Sequence, residues 1–244
     1  MNNSDIPRIP GTCLVCREHT PGSICDLSDT AFAEFASLKF RRAYPRASTI
    51  FIEGQPARGV YLLCSGRVKL STYSEEGRAI ILRVAEPGEM LGLSAVISST
   101  PYEKTAQTSE DCSVSFIKRK DFLAFLERHP KAAFNALKQM SNNYQKAHSL
   151  ICSLALSSSV GDKFARLLLQ WCGHSANGGP VRISRHYTHG EIADMIGTSR
   201  ETVTRLIKDF KDRGLITLSK TELCIPDRVR LKQAIGTKHG NGHG

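Results

Sequence analysis

Short runs that alternate apolar and polar residues fill the chain between residues 40 and 118. The runs are STIFIE, GVYLLCSG, RVKLSTY, AIILRVA, EMLGL and CSVSFIK. Glycines punctuate them at intervals of 11 or 12 residues, at Gly54, Gly66, Gly77 and Gly88. A period of two is typical of half-buried strands, and glycine turns at this spacing favour an all-β sandwich or barrel over a βαβ fold.

Helical spacing replaces this alternation on both sides of the strands. LSDTAFAEFASL predicts a short helix before them, and KDFLAFLERHP begins a helical region after them, which Pro130 divides into a short and a long helix. Gaps of three and four separate six apolar residues of the long helix: Leu137, Met140, Tyr144, Ala147, Ile151 and Leu154. We interpret them as the a/d seam of a homodimer, with packing of the helix on its own β domain as the alternative.

The stretch GEIADMIGTSRETVTRLIKDFKDRGLI contains two short helical patterns joined at Gly197. We predict that Gly197 ends the first helix and that Thr198 and Glu201 form a capping box for the second. The predicted buried face of the second helix consists of Val203, Leu206, Ile207 and Phe210. LITLS and ELCIP then alternate as a small hairpin. The whole predicts a winged helix-turn-helix, whose second helix enters the major groove of DNA.

The opposite face of that second helix is polar and charged. It presents Ser199, Arg200, Glu201, Thr204, Arg205 and Lys208. Arg can bond guanine through two hydrogen bonds, Glu can accept from cytosine, and Thr can contact the thymine methyl group. The chain has 33 Lys and Arg against 23 Asp and Glu, which suits a polyanionic partner. We predict double-stranded DNA as that partner; a solvated face on a structural helix is the alternative.

Length, composition and the absence of certain sequence motifs indicate the general class of the protein. At 244 residues two domains are favoured, and the sequence shows neither a membrane-spanning run nor a secretory signal, so we expect a cytoplasmic protein without membrane association. It contains no nucleophile elbow, phosphate loop or paired-carboxylate motif, and we expect no enzymatic activity. The predicted segments are a cysteine-containing arm (1–36), a β-roll (37–120), a linker and dimerisation helix (121–157), the winged helix-turn-helix (158–235) and a disordered tail (236–244).

Three of the eight cysteines lie in the first 25 residues, with the spacing C-x2-C-x8-C at Cys13, Cys16 and Cys25. In a reducing cytoplasm such clustering favours metal ligands or reactive thiols over disulfides. Four others follow strand or helix patterns, and we expect them to be buried thiols without chemistry: Cys64, Cys152, Cys172 and Cys224.

The helix-turn-helix stretch resembles the DNA-binding module of the CRP/FNR transcription regulators, and the order of segments resembles that of the same family. The resemblance implies an α+β fold with a cyclic-nucleotide-binding-like β-roll (jelly roll), a long dimerisation helix and a C-terminal winged helix-turn-helix. It also implies a homodimer on an inverted repeat, with RNA polymerase as a further partner of an activator. Glu201 and Arg205 would be the principal base-contacting residues, and Arg200 and Thr204 would modulate a half-site that is TGTGA-like or TTGAT-like.

The phosphate-binding turn of the cyclic-nucleotide members is similar to PGEMLGLSAVISSTPYEKTAQT in this chain. Gly88 and Gly92 keep the turn, but Leu93 stands where the ribose-binding Glu would be, and Lys104 stands where the phosphate-binding Arg would be. Leu cannot accept a hydrogen bond from a ribose hydroxyl, and Lys is a point charge where Arg is a two-pronged donor. Cyclic nucleotide binding is therefore not expected.

The arm resembles that of FNR-type oxygen sensors, which hold a 4Fe-4S cluster with three arm cysteines and one from the β-roll. That resemblance implies a cluster on Cys13, Cys16, Cys25 and Cys112, although the second gap of the arm is longer here. An intact cluster would order the arm and favour helix pairing, and oxygen or nitric oxide would reverse this. Zinc on the same four thiolates, a dithiol switch at Cys13 and Cys16, thiols without metal, and a small effector in the roll stay as alternatives.

Overall fold

The computed structural model describes residues 23–77, 79–157, 159–172, 179–184, 187–219 and 222–235. The chain divides into two compact units, Met1–Lys146 and Ala147–Gly244. Their architecture confirms the predicted fold class: a β-roll with helices in the first unit and a winged helix-turn-helix in the second. Within the described ranges, no helix is long and apolar enough to cross a membrane.

Two four-stranded antiparallel sheets form the roll of the first unit. One sheet has the order β1-β8-β3-β6, built from β1 (Phe40–Tyr44), β8 (Cys112–Lys118), β3 (Gly59–Ser65) and β6 (Met90–Leu91). The other has the order β2-β7-β4-β5, built from β2 (Thr49–Phe51), β7 (Thr105–Thr108), β4 (Val68–Tyr73) and β5 (Ala79–Ala85). In the first sheet β3 and β8 pair from Gly59 with Lys118 to Ser65 with Ser113, and the register shifts between Leu63 and Ser65.

Helices cover the outer face of the first sheet. They are α1 (Asp29–Ser37), α2 (Leu93–Ser98), α3 (Arg119–Arg128) and the long α4 (Pro130–Leu156). Phe35 of α1 and Phe125 of α3 are fully buried and stack with ring centroids 5.0 Å apart. Pro130 begins α4, as predicted, because proline is tolerated in the first turn of a helix but not in its interior.

Each face of the β1-β8-β3-β6 sheet borders a separate apolar core. The helical core, beneath the helices, includes Ile24, Cys25, Phe32, Phe35, Val60, Leu62, Met90, Leu93, Ile117, Phe122, Phe125, Ala132 and Ala136. The roll core, between the two sheets, includes Tyr44, Ile50, Phe51, Leu63, Val68, Leu70, Leu91, Tyr102, Ala106, Cys112 and Val114. Successive side chains of a strand point to opposite faces, so Leu62 and Leu63 belong to different cores.

The second unit packs four helices against a small sheet. Among the described residues these helices are α5 (Val160–Trp171), α6 (His189–Ile196), α7 (Arg200–Asp212) and α8 (Arg228–Gln233), and the C-terminal end of α4 also belongs to this unit. The predicted hairpin is present as β10 (Thr217–Leu218) and β11 (Glu222–Ile225), and β9 (Val181–Ser184) adds a third strand to give the order β10-β11-β9. Phe164 of α5 meets Phe210 of α7 edge to face, at 5.0 Å between ring centroids.

The turn between α6 and α7 forms as predicted, but its cap differs. Gly197 ends α6 with a φ of 66°, a left-handed conformation that glycine adopts without strain. The predicted capping box of Thr198 and Glu201 is wrong. The N-cap of α7 is Ser199, whose hydroxyl accepts a hydrogen bond from the backbone N–H of Thr202. Glu201 is then the second residue of the helix, one position too early to complete a capping box.

Candidate functional site

The exposed face of α7 carries all six residues predicted to contact DNA. Val203, Ile207 and Phe210 hold the helix against the body of the second unit. The opposite side is open to solvent along its whole length, at Ser199, Arg200, Glu201, Thr204, Arg205 and Lys208. An exposed, cationic helix face behind a firmly buried one is the geometry that a helix needs to enter the major groove.

Glu201 and Arg205 lie within one turn of each other near the start of α7. The pKa of Glu201 lies below its usual value because the carboxylate accepts from its own backbone N–H and from Ser199, with further lowering by the charges of Arg200 and Arg205. Glu201 is therefore an ionised acceptor at neutral pH. Arg205 donates from Nη2 to Oγ1 of Thr202, 3.3 Å away, which holds its side chain along the N-terminal half of the helix.

Thr204 has a hydrogen-bond network that the sequence did not reveal. Its Oγ1 donates to the carbonyl oxygen of Arg200 at 3.0 Å and lies 2.9 Å from Nδ1 of His189, the first residue of α6. The hydroxyl is thus engaged within the helix-turn-helix, and the methyl group is left for contact with a base. His189 is a functional candidate that periodicity could not identify, because its contact crosses between two helices.

A stripe of large apolar side chains runs along α4 and faces solvent. In the first unit Leu137 is 61% and Tyr144 is 72% exposed, and in the second unit Ile151 is 64% exposed. Phe134, 55% exposed, continues the stripe by one turn and was not predicted. Exposed apolar residues in this number on one helix mark an interaction surface.

Of the other three residues predicted for the seam, one is partly buried, one is exposed but small, and one has a side chain outside the described residues. Met140 is partly buried and packs against the helical core of its own unit, so it is not one of the large exposed side chains of the stripe. Ala147 is exposed, and the side chain of Leu154 lies outside the described residues. The large apolar side chains of the stripe are therefore Phe134, Leu137, Tyr144 and Ile151 in the parts of α4 whose side chains are described.

The four predicted cluster ligands are only partly described. Cys13 and Cys16 lie outside the described residues, as does the predicted tail at 236–244. Cys25 is buried in the helical core, and Nζ of Lys39 lies 3.9 Å from its Sγ. Among the residues that the structure describes, no group of three or more His, Cys, Asp or Glu side chains could hold a metal ion.

Cys112 begins β8 and points into the roll core, where it is only 4% exposed. Its Sγ donates to the carbonyl oxygens of Arg67 and Glu110, at 3.3 and 3.2 Å. Desolvation by burial raises the pKa of this thiol above its usual value. A Cβ atom placed on Gly66 would come within 2.5 Å of the Cys112 Sγ, so the sulfur is closely surrounded.

Cys25 and Cys112 lie apart in the described structure, and the four-cysteine ligand set, with Cys13 and Cys16 outside the described residues, stays a prediction. The two thiols belong to different cores on opposite faces of the β1-β8-β3-β6 sheet. Cys64, to which no chemistry was assigned, lies on the same side of that sheet as Cys25. The cause is strand periodicity: Cys112 shares a face with Val114, and Cys64 shares a face with Leu62.

The positions corresponding to a cyclic-nucleotide site are also described. Leu93 is buried in the helical core, and its side chain offers no polar atom. Lys104 pairs with Glu103 at 3.3 Å between Nζ and Oε2, and Glu103 also accepts from Ser94 at 2.9 Å. An acidic side chain thus accompanies Lys104, the residue that stands where the phosphate-binding Arg would be.

Comparison with known proteins finds one family match in the N-terminal part of the chain and another in the C-terminal part. Residues 41–129 match the family described as cyclic nucleotide-binding domain, and residues 162–234 match the Crp-like helix-turn-helix domain. The global nitrogen regulator of Synechococcus elongatus is 30% identical over 216 residues, which cover 84% of this chain and 95% of that protein. The CRP-like cAMP-activated global transcriptional regulator of Mycobacterium tuberculosis is 28% identical over 190 residues, covering 77% and 84% of the two chains.

A CooA mutant from Carboxydothermus hydrogenoformans has a similar structure, with a TM-score of 0.72 at 21% identity, over 86% of this chain and 93% of that one. At this identity the likeness shows the fold alone. The relatives found by sequence show the family as well as the fold, since the global nitrogen regulator matches over nearly its whole length. With a cyclic nucleotide-binding domain followed by a Crp-like helix-turn-helix, the chain belongs to the CRP/FNR family of DNA-binding transcription regulators.

Proposed function

We propose that this regulator responds to oxygen or redox state through a 4Fe-4S cluster held by cysteines of its N-terminal arm. It binds an inverted repeat as a homodimer, with Glu201 and Arg205 as the principal base contacts and Arg200 and Thr204 as modulators. RNA polymerase is a further partner where the output is activation. The observation that supports the sensing role is the way the turn carrying Cys25 is joined to the first turns of α4.

Residues 23–27 form part of the same core as α4. Ile24 and Cys25 pack in the helical core with Ala132 and Ala136 of the helix. The buried amide of Asn135 donates from Nδ2 to the carbonyl oxygen of Asp26 at 3.0 Å. A change in the position of Cys25 therefore reaches α4 directly, at the turns where the exposed stripe begins.

The donor chemistry of the arm fits an iron-sulfur cluster. Three thiolates from Cys13, Cys16 and Cys25 leave one position, which the resemblance gives to Cys112 of the roll, and four cysteines is the number that such a cluster needs. A bound cluster supplies a centre whose stability depends on oxygen. The contribution of the chain is to link the thiol of Cys25, through Asp26 and Asn135, to the helix that carries the dimer stripe.

The first test is anaerobic purification of the full chain, followed by an absorption spectrum and analysis for iron, sulfide and zinc, before and after brief exposure to air. The proposal predicts a brown protein with near-stoichiometric iron and sulfide that loses its colour and its DNA affinity in air. A colourless protein containing zinc would make the cysteines a structural site. A protein with neither metal would direct attention to a small effector in the roll, or to a thiol switch.

Replacing Asn135 by Ala should uncouple the arm from α4. The substitution removes the hydrogen bond to the Asp26 carbonyl and should lower the free energy of unfolding by about 1 kcal/mol. We also expect a smaller difference in DNA affinity between anaerobic and aerated protein, measured by fluorescence anisotropy. Lys131→Ala is the matched control, because it removes only the more exposed contact to the Asp26 carboxylate at 3.5 Å. An unchanged difference in the Asn135 variant would contradict this coupling route.

A further inference from the structure

We propose that His189, the first residue of α6, is a positioning residue for base recognition: it fixes the rotamer of Thr204 on α7 and thereby sharpens the half-site preference. The inference rests on the proposed function, in which Thr204 modulates the half-site, and it brings a residue of a second helix into that role. It requires His189 to be held in place, to bind the Thr204 hydroxyl, and to select one orientation of the Thr204 methyl group.

The backbone of His189 is held by the cap of α6. The backbone N–H of Thr188 donates to Oε2 of Glu191 at 2.8 Å, and Oγ1 of Thr188 accepts from the backbone N–H of Glu191 at 3.2 Å. Such a reciprocal capping box fixes the first turn of a helix. His189 lies between the two residues of the box, so its Cα has a defined place at the start of α6.

The imidazole ring of His189 is half-buried between α6 and α7. It lines a small hollow together with Ile192 of α6 and Ile207 of α7, and both isoleucines are buried. The other residues that line this hollow are Trp171, Ile183, Tyr187, Leu218 and Leu223. Packing of this kind restricts the orientations that a side chain can adopt. The ring is therefore suited to hold a partner on α7 in one place.

The hydroxyl of Thr204 lies between two hydrogen-bonding groups. Its Oγ1 is 3.0 Å from the carbonyl oxygen of Arg200 and 2.9 Å from Nδ1 of His189. A hydroxyl has one hydrogen to donate and lone pairs to accept. It donates to the carbonyl oxygen, which can only accept, so it accepts from an N–H at Nδ1 of His189. The pair of contacts thus selects the Nδ1–H tautomer of the neutral ring, and the charged ring also carries that hydrogen.

This second hydrogen bond decides the orientation of the threonine. A threonine in a helix divides its population between two χ1 rotamers. The bond from His189 forms only where Oγ1 lies as the structure has it, and the methyl group is carried by the same Cβ. Fixing the hydroxyl therefore fixes the methyl group on the exposed face of α7. A methyl group contacts thymine, whereas a threonine hydroxyl can bond to several bases, so one fixed rotamer narrows the choice of base.

The test compares two amide substitutions that place their donor differently. His189→Asn keeps an N–H at the atom that corresponds to Nδ1, whereas His189→Gln moves it to the position of Nε2. The full chain would select sites from duplexes with a randomised half-site in an inverted repeat, and anisotropy titration would follow. At one base pair, His189→Gln should lower the ratio of preferred to other affinities roughly two- to tenfold, the net value of a hydrogen bond. His189→Asn should stay within about twofold of wild type.

Thr204→Ala separates a failure of this inference from a failure of the proposed function. In that background His189→Gln should have no further effect on base preference, because no hydroxyl remains to be positioned. A changed preference in Thr204→Ala with none in His189→Gln would overturn the inference and leave Thr204 as a base contact. An unchanged preference in Thr204→Ala would remove Thr204 from the proposed half-site contacts, and the inference with it. Circular dichroism during thermal unfolding checks that each variant is folded.

Deoxyuridine in place of each thymine of the selected half-site gives a second measurement, because it removes only the methyl group of the base. The wild type and His189→Asn should lose affinity at one thymine, and His189→Gln should lose less there. An equal penalty in the wild type and His189→Gln would contradict the positioning role. An equal loss on every duplex in both His189 variants would assign the imidazole to the DNA backbone and overturn the inference as well.

Discussion

Tyr144→Glu should convert the regulator from a dimer to a monomer and lower its affinity for a two-half-site operator by roughly 10²–10⁴-fold, the advantage that linked binding sites confer. Regulators of this family act as dimers, and the 72% exposure of Tyr144 on α4 in the single chain marks it for burial by a second copy. In a two-fold dimer the introduced carboxylates would face each other across an apolar seam. Sedimentation velocity would report the oligomeric state, and anisotropy titration would report the affinity.

Asn142→Glu provides the matched control for this substitution. It adds the same charge to an exposed position of the same helix, away from the line of Phe134, Leu137 and Tyr144. Dimerisation and DNA affinity should stay within about twofold of wild type, since isolated surface substitutions have small effects. A dimeric Tyr144→Glu protein with normal affinity would show that the stripe is not the dimer seam.

The parts of the fold with strong local signals were predictable from the sequence. Glycine-punctuated alternation gave the roll, and the glycine between two short helical patterns gave the helix-turn-helix, because both signals arise from neighbouring residues. The short elements α2, β9 and α8 were not predicted. Each has only four to six residues, too few to show a period, and depends on contacts with distant parts of its unit.

The exposed apolar stripe of α4 shows where periodicity becomes ambiguous. α4 has apolar residues on two sides, and gaps of three and four lead equally well from Leu137 to Met140 or to Phe134. Packing decides between them: Met140 contacts the helical core, and Phe134 is left in solvent. A one-dimensional pattern cannot make that distinction, because it does not show where the roll lies relative to the helix.

The positions of the predicted ligand cysteines depend on tertiary structure in the same way. Cysteine spacing predicts a metal site in the arm and the resemblance adds Cys112 of the roll, but the core that a roll cysteine joins depends on the face its strand presents. That follows from the pairing of β3 with β8 and from the shift in register between Leu63 and Ser65. Strand register is a long-range property, so the sequence did not show that Cys25 and Cys112 lie in different cores.

Arg205→Ala should reduce affinity for the cognate half-site by about 1–3 kcal/mol, or roughly 5- to 150-fold, and relax specificity at the guanine that it contacts. The loss arises because a guanidinium can bond guanine through two donors, whereas alanine leaves the base acceptors unpaired. Arg205 is exposed and held along α7 by Thr202, so the substitution removes a DNA contact without disturbing the buried face. Titration of cognate, single-base-changed and scrambled duplexes at fixed salt would measure both the loss of affinity and the change in specificity.

Comparison with Lys208→Ala separates sequence-specific from non-specific contributions to DNA affinity on the same helix face. Its ammonium, one turn beyond Thr204, is suited to a phosphate, which carries no sequence information. This variant should weaken cognate and scrambled DNA alike and lower the slope of log affinity against log salt by about one. Arg205→Ala should instead lower the ratio between cognate and scrambled affinity. Equal losses on both duplexes for Arg205→Ala would place its guanidinium on the DNA backbone and leave Glu201 and Arg200 as the candidates for base contact.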